Sequence, residues 1–174
     1  MKNWTTLIFF TLFLFQAILI VVDARNVQVP TKGRPRKGKT SLVTVAVTAG
    51  TGNLQNMLNL VNQQRMKNGR PLLKLDSRLV QAAQKHTDYQ ARVGQMTHNE
   101  PGRPLSLRVS ESGFRWTALG ENVAMSYPSV EAVMKGWMNS PGHRQNILNP
   151  QYTHFGSGYV AKGNYWTQVF GRSA

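Results

Sequence analysis

Three polar side chains in the second half of the chain could do chemistry together: His98, Glu121 and His143. Glu121 lies in the run Gly-Glu-Asn-Val-Ala at 120–124, which predicts an irregular turn led by glycine, and His143 ends the run Ser-Pro-Gly-His at 140–143. Two neutral imidazoles and a carboxylate are a ligand set for Zn²⁺, with water completing the coordination. The same groups could instead act as a general acid and base. The sequence therefore predicts a zinc or other divalent metal site, or an acid–base cluster.

His143 is the third residue of a predicted short helix that has Pro141 at its first position and Ser140 as its cap. The positive end of the helix dipole disfavours protonation there, so the ring would be neutral at physiological pH and free to bind a metal. A purely architectural interpretation stays open for each residue. Glu121 could accept backbone N–H bonds within its turn, and His143 could cap its own helix.

A nucleophile is missing beside these groups. The chain has no cysteine, and no serine near the motifs lies in a Gly-x-Ser-x-Gly elbow. The zinc-protease motif His-Glu-x-x-His is absent as well. These features favour a binding protein over an enzyme, and such a protein requires no cofactor.

Residues 1–24 resemble a signal peptide. Lys2 precedes a largely apolar stretch from Leu7 to Val22, and Val22-Asp23-Ala24 has the small-residue pattern of a cleavage site. The stretch falls short of the ~20 apolar residues of a spanning helix, which favours cleavage over the alternative of an uncleaved membrane anchor. We therefore expect a secreted protein.

Residues 25–52 form a predicted basic, flexible linker. Lysines and arginines concentrate in 25–39, where prolines and glycines break any helix. The segment could be a solvated tether, or it could attach the protein to cell-wall polymers, acidic polysaccharide or an anionic membrane. No aromatic residue lies between the charges to stack on bases, which disfavours nucleic acid as a partner. The run 41–48, with valine at every second position from Val43, predicts a possible strand.

The remainder, 53–174, has the pattern of one α+β domain. Apolar residues recur at helical spacing after residues 53, 76, 104 and 129, and the short helix at 141 follows. Two strand-like runs, 155–160 and 165–170, flank a four-residue connection suited to a hairpin. His86 falls on the apolar face of the second helix, and we predict a satisfied core or boundary histidine there.

The motifs in this domain resemble those of a known family. Gly-Glu-Asn-Val-Ala at 120–124, Ser-Pro-Gly-His-Arg-Gln-Asn-Ile-Leu at 140–148 and Tyr-Trp-Thr-Gln-Val-Phe at 165–170 occur in the order seen in the CAP superfamily. This superfamily comprises cysteine-rich secretory proteins, antigen five and pathogenesis-related-one proteins. The resemblance covers roughly 54–170 and is closest to a cysteine-free microbial branch. It implies a three-layer α-β-α sandwich with a central antiparallel sheet.

The resemblance also implies a central cleft that two histidines and two glutamates line, and that binds divalent metal in some members. His98 matches the first histidine and Glu121 matches the glutamate of the Gly-Glu-Asn motif. Ser140 and Tyr165 stand where the family has its second glutamate and second histidine. The predicted ligand cleft comprises His98, Glu121, Asn122, Ser140, His143 and Tyr165.

Three functions are compatible with these features. The resemblance implies a secreted, non-enzymatic protein that binds a lipid, a sterol or another extracellular surface ligand in defence, virulence or host–microbe interaction. A metal-dependent, peptidase-like hydrolase using His98, Glu121 and His143 is the first alternative. The net charge of +14 allows the second, a cationic antimicrobial protein, whose membrane binding would weaken steeply with salt.

Overall fold

Five helices and a four-stranded sheet form the part of the chain that the structure describes, which is residues 41–174, with side chains described from residue 53 onward. The structure is a computed structural model. The helices are α1 (Ser41–Lys67), α2 (Ser77–Val93), α3 (Leu105–Glu111), α4 (Val130–Asn139) and α5 (Pro141–Leu148). The strands are β1 (Lys74–Leu75), β2 (Trp116–Ala124), β3 (His154–Val160) and β4 (Tyr165–Ser173). The signal peptide predicted at 1–24 and the basic segment 25–39 lie outside the described residues.

The sheet has the strand order β1-β3-β4-β2. Strands β3 and β4 form the predicted hairpin around residues 161–164, and β2 pairs antiparallel with the other side of β4. The two-residue strand β1 adds a parallel pairing to β3. The α+β class is confirmed, and the sheet, predicted as antiparallel, is mixed because of β1.

Helices cover both faces of the sheet. Successive side chains of a strand point to opposite faces, so Phe170 and Val169, neighbours in β4, enter different layers. Phe170 belongs to a core cluster with residues of α1, α4 and α5, whereas Val169 packs with residues of α2 and with Val109 of α3. The three-layer α-β-α sandwich is therefore confirmed.

The first helix begins earlier than the sequence predicted. Residues 41–48 were predicted as a possible strand, but they form the first turns of α1. β propensity mainly reflects how well a side chain packs on a pleated surface, so it is easily overridden by context. Here the helix that buries Met57 and Val61 continues toward the N-terminus through the valine-rich run.

Several helix ends are capped in the usual ways, but the predicted Ser140 cap does not form. The Asp76 side chain accepts the Arg78 backbone N–H at the start of α2, and the Ser129 side chain accepts the Ala132 N–H at the start of α4. Gly94 ends α2 in the left-handed conformation, with φ of 70°. Ser140 occupies the N-cap position of α5, yet its side chain makes no capping bond, so its predicted capping role is wrong.

The Gly-Glu-Asn run is not a turn. Gly120, Glu121 and Asn122 lie inside β2, where Glu121 is opposite Val169 of β4. Glycine is needed at 120 for space, because a Cβ atom there would lie 2.9 Å from Cζ of Tyr152. The turn prediction therefore mistook the composition of a buried, polar strand for turn chemistry.

Helix α2 lies directly on β3, which makes Gly156 sensitive to substitution. A Cβ atom at this position would lie 2.6 Å from the backbone oxygen of Leu79. Because backbone atoms cannot rotate away, we expect Gly156→Ala to lower the free energy of unfolding by about 1–3 kcal/mol in urea titrations. Gly142→Ala is the matched control, since a Cβ atom there has no neighbour within 4 Å. Equal stability losses in both variants would contradict this packing.

Arg65 is fully buried near the C-terminal end of α1. Its guanidinium donates hydrogen bonds to the carbonyl oxygens of Pro71, Ile147, Asn149 and Tyr152, at 2.7, 2.8, 2.9 and 3.3 Å respectively. One side chain thereby joins α1, the segment that follows it, the end of α5 and the loop before β3.

Candidate functional site

Glu121 is the centre of a buried ion pair. Its side chain leaves β2 on the face that α2 and α3 cover. Nη1 of Arg108, on α3, donates to Oε2 at 2.8 Å, and Nη2 donates to Oε1 at 3.2 Å. Both side chains are only 3% exposed. The carboxylate is therefore held by a bidentate contact with a permanent cation, a geometry that fixes its orientation.

The ion pair keeps Glu121 ionised despite its burial. Burial is the largest single influence and acts to raise the pKa of Glu121. The hydrogen bonds from His98 and Arg108, together with the positive charge of Arg108, outweigh it, so the pKa lies below its ordinary value. The site therefore presents a carboxylate that is already neutralised by its own arginine.

His98 connects this ion pair to solvent. Its Nδ1 donates to Oε1 of Glu121 at 2.9 Å, while 57% of its side chain is exposed. The backbone carbonyl of His98 accepts a bond of 3.3 Å from Nη2 of Arg108. Arg108 and Glu121 together orient the imidazole, whose other nitrogen makes no hydrogen bond within residues 53–174. His98 is thus preorganised to contact a ligand.

Behind this contact lies His86, which is fully buried on α2. Its Nε2 donates to the carbonyl of Thr97 at 2.8 Å, and its Nδ1 is 3.3 Å from Oε2 of Glu100. Its Nε2 is also 3.9 Å from Oε1 of Glu121. The prediction of a satisfied core histidine is confirmed. Its bond to Thr97 holds the residue that precedes His98.

The Asn122 side chain lies on the opposite face of the sheet, where it connects α5 to the strands. It is fully buried, and its Nδ2 donates to the carbonyl of His143 at 3.2 Å and to Oε1 of Gln168 at 3.0 Å. Its Oδ1 accepts a bond of 2.9 Å from Asn146 of α5. All these contacts tie α5 to β2 and β4, so the structure places the Asn122 side chain in a structural network.

His143 is the third residue of α5, as predicted, and is half-buried. Its pKa is lowered, first by burial and then by the charge of His98. The neutral imidazole agrees in direction with the sequence-based expectation. Burial and the neighbouring His98 are two causes that the sequence-based expectation did not include.

Tyr165, one of the predicted cleft residues, lies apart from the His98–Glu121 pair. Tyr165 is the first residue of β4, four residues from Val169, the partner of Glu121, which corresponds to about 13 Å along the strand. Its ring is buried and packs over Gly163 in the hairpin. Ser140 is half-buried at the junction of α4 and α5.

The described side chains do not present a ready metal site. Within residues 53–174, no group of three or more His, Cys, Asp or Glu side chains is arranged to hold a metal ion. Both carboxylate oxygens of Glu121 already accept bonds from Arg108. A metal at His98, Glu121 and His143 therefore stays a prediction, and it would share the Glu121 carboxylate with Arg108.

Arg108 is the site residue that sequence reasoning missed. The sequence shows it only as one charged residue in a short helix, 13 residues before Glu121. Its neighbour Val109 is fully buried. A charged residue next to a core position was the one sign that Arg108 is buried as well. Arginine is seldom buried without a partner, but this signal alone does not identify Glu121 as the partner.

A groove separates α1 from α4 on the other face of the sheet. Its apolar wall consists of Leu60, Met134 and Met138, and its volume is about 260 Å³. The polar residues that complete its lining are Gln64, Glu131, Lys135 and Asn139. Across its rim, Asn56 of α1 donates to Glu131 of α4 at 2.7 Å, which fixes the helix spacing at one end.

None of the helices in the described part of the chain is long and apolar enough to span a membrane.

Comparison with known proteins identifies relatives for most of the described domain. The profile of the cysteine-rich secretory protein family, CAP, matches residues 58–170. YkwD, an uncharacterized protein of Bacillus subtilis strain 168, is 37% identical over 134 residues, which are 76% of this chain and 52% of YkwD. YlbC, an uncharacterized membrane protein of the same strain, is 33% identical over 121 residues, 69% of this chain and 34% of YlbC. The chain thus spans only a third to a half of these relatives.

A solved structure matches as well. An extracellular protein of Bacillus anthracis strain Ames that contains an SCP domain superposes with a TM-score of 0.70 at 30% sequence identity. The match covers 79% of this chain and 45% of that chain. Sequence profile, relatives and fold agree, and the chain, which has no cysteine of its own, belongs to the cysteine-rich secretory protein family.

Proposed function

We propose that this protein binds a lipid outside the cell, in the groove between α1 and α4. The observation that carries the proposal is the apolar wall of Leu60, Met134 and Met138 between two helices, in which Leu60 and Met138 are partly exposed. Methionine side chains are unbranched and flexible, so they adapt to ligands of irregular shape. An elongated acyl chain fits such a groove better than a compact ligand does.

The rim of the groove suits a lipid with a polar head. Lys135 and Gln64 can interact with a carboxylate or phosphate, while the acyl chain lies on the apolar wall. The groove holds about 260 Å³, slightly less than the ~300 Å³ at the lower end of ordinary ligand pockets. Part of a long chain would therefore stay exposed, as expected for a reversible carrier or a surface contact.

Two further features support an extracellular location. Residues 1–24 have the pattern of a signal peptide, and the Bacillus anthracis structure that this chain resembles is described as extracellular. The hydrolase alternative has less support, because within residues 53–174 no three His, Cys, Asp or Glu side chains are arranged to hold a metal ion, and Arg108 neutralises the carboxylate of Glu121. The antimicrobial alternative rests on net charge alone and stays a prediction.

A fluorescent C16 fatty acid tests the lipid site. We expect saturable binding by the full chain, and an affinity about tenfold lower in a Leu60→Gln, Met138→Gln variant, because its apolar wall becomes polar. Met66→Gln, Leu72→Gln is the matched control, since these side chains are 66% and 57% exposed elsewhere on the surface. Non-saturable binding, or equal losses in both variants, would contradict the proposal.

A further inference from the structure

A second groove runs beside α5, and it shares no lining residue with the groove between α1 and α4 or with the His98–Glu121 pair. Its volume is about 640 Å³. Two arginines, Arg70 and Arg144, lie on its surface with the amide side chains of Gln145 and Gln151. Leu148 contributes apolar surface between them. We call this feature the α5 groove.

The positive charge of the α5 groove is not balanced by acidic residues in its wall. No acidic residue lines it. The guanidinium groups of Arg70 and Arg144 are exposed, and neither makes an ion pair or side-chain hydrogen bond with residues 53–174. In the same range Arg78, Arg103 and Arg108 do form ion pairs with carboxylates. The two free arginines therefore give this groove a positive potential that attracts anions.

Arg65 strengthens this potential from inside the protein. Its buried guanidinium donates only to carbonyl oxygens, one of which belongs to Asn149 in the wall of the groove. Its charge is solvated by dipoles and is not cancelled by a carboxylate. The backbone N–H of Arg70 donates to the carbonyl of Arg65 at 2.9 Å, so the two residues are neighbours; burial, and then the charge of Arg70, lower the pKa of Arg65. The α5 groove therefore has two arginines, Arg70 and Arg144, on its surface, and a third, Arg65, buried against Asn149 of its wall.

We propose that the α5 groove binds an anionic group carried on a hydroxyl-rich chain, such as a uronic-acid oligosaccharide or a polyol phosphate. The guanidinium forks of Arg70 and Arg144 match the planar oxygen pairs of carboxylates and the oxygens of phosphates. The side-chain amides of Gln145 and Gln151 can both donate to and accept from hydroxyl groups. Leu148 offers apolar surface to the C–H face of the chain. This site uses none of the residues of the lipid groove.

Titration calorimetry on the full chain tests the site at about 0.15 M salt, where contacts between distant exposed charges are largely screened. The probes are a galacturonic acid oligomer, a glycerol phosphate oligomer and a neutral galactose oligomer. We expect an anionic oligomer to bind, the neutral one to bind at least tenfold more weakly, and Arg70→Gln, Arg144→Gln to lose about tenfold or more in affinity.

The matched control is Arg92→Gln, Arg115→Gln, which removes two exposed arginines from other surfaces while leaving 25–39 intact. This variant should bind as the unmodified protein does. Preference for the galacturonic acid oligomer would assign the anion as carboxylate, and preference for the glycerol phosphate oligomer would assign it as phosphate. Equal losses in the two double variants, equal binding of the neutral oligomer or no binding of either anion would overturn the proposal.

Discussion

Trp137→Ala is expected to lower the free energy of unfolding by about 3–5 kcal/mol, the range for deleting a large aromatic side chain from a core. Trp137, on α4, is 2% exposed and belongs to the core cluster between the sheet and the helices α1, α4 and α5. Its indole N–H donates to the carbonyl of Val123 in β2 at 3.2 Å. Alanine would therefore create a large cavity and leave a buried carbonyl without its donor.

Urea unfolding followed by circular dichroism measures this loss. Trp137→Phe is the useful comparison, because phenylalanine keeps most of the apolar volume and removes only the N–H donor and one ring. We expect its stability to lie between that of the unmodified protein and that of Trp137→Ala. An unchanged unfolding midpoint for Trp137→Ala would show that α4 does not bury this face.

Arg108→Met is expected to lower the free energy of unfolding by a similar amount, about 3–5 kcal/mol, because it removes the cation that pairs with the buried Glu121 carboxylate. Methionine fills much of the arginine volume, so the change mainly removes the cation. Glu121 would remain 3% exposed with only His98 as a partner, and an ionised carboxylate without compensation is unstable in such surroundings. Arg78→Met is the control, because its ion pair with Asp76 is half-exposed, at 49% for the arginine, and such pairs contribute about 0–1 kcal/mol.

The double variant Arg108→Met, Glu121→Gln separates charge from packing. If the uncompensated carboxylate causes the loss, the neutral amide should restore part of the stability, and the double variant should be more stable than Arg108→Met alone. Additive losses in the two single variants would instead mean that the two side chains do not interact.

The pH dependence of the Arg108→Met defect gives an independent check. In the unmodified protein the pKa of Glu121 is lowered, so the ion pair contributes stability above the unfolded pKa of about 4.3 and loses it as pH falls through the folded value. Without Arg108, burial should raise the pKa of Glu121, and protonation then relieves the cost. The stability difference between the two proteins should therefore shrink from about pH 7 to about pH 4. A constant difference would contradict the role of Glu121.

Much of the fold could be predicted because it follows local rules. The spacing of Leu79, Ala82 and Ala83 identified the buried face of α2, and the four residues 161–164 identified the hairpin. The strand β2 could not be identified this way. Its centre, Gly120-Glu121-Asn122, has the composition of a turn, and Glu121 and Asn122 are buried because α3 and α5 supply partners from distant parts of the chain.

The candidate site likewise depends on contacts between distant elements, which the sequence does not show. The sequence indicated His98, Glu121 and His143 as a group, and the structure brings His98 and Glu121 into contact. It could not indicate Arg108, because that contact depends on how α3 packs against the sheet, and sequence spacing carries no information on packing between elements. Without Arg108, the sequence left Glu121 open as a metal ligand, an acid–base group or a residue that holds a turn.

Glu121 and Asn122 are consecutive residues whose side chains serve opposite layers of the sandwich. Slipping β2 by one residue against β4 would exchange them. A carboxylate would then face Gln168 and the methionine sulfur atoms that contact it, and an amide would face Arg108. Both cores would contain mismatched polar groups after a single shift. Glu121 and Asn122 together therefore fix the register of β2 against β4, because a one-residue shift would destabilise the packing on both faces of the sheet.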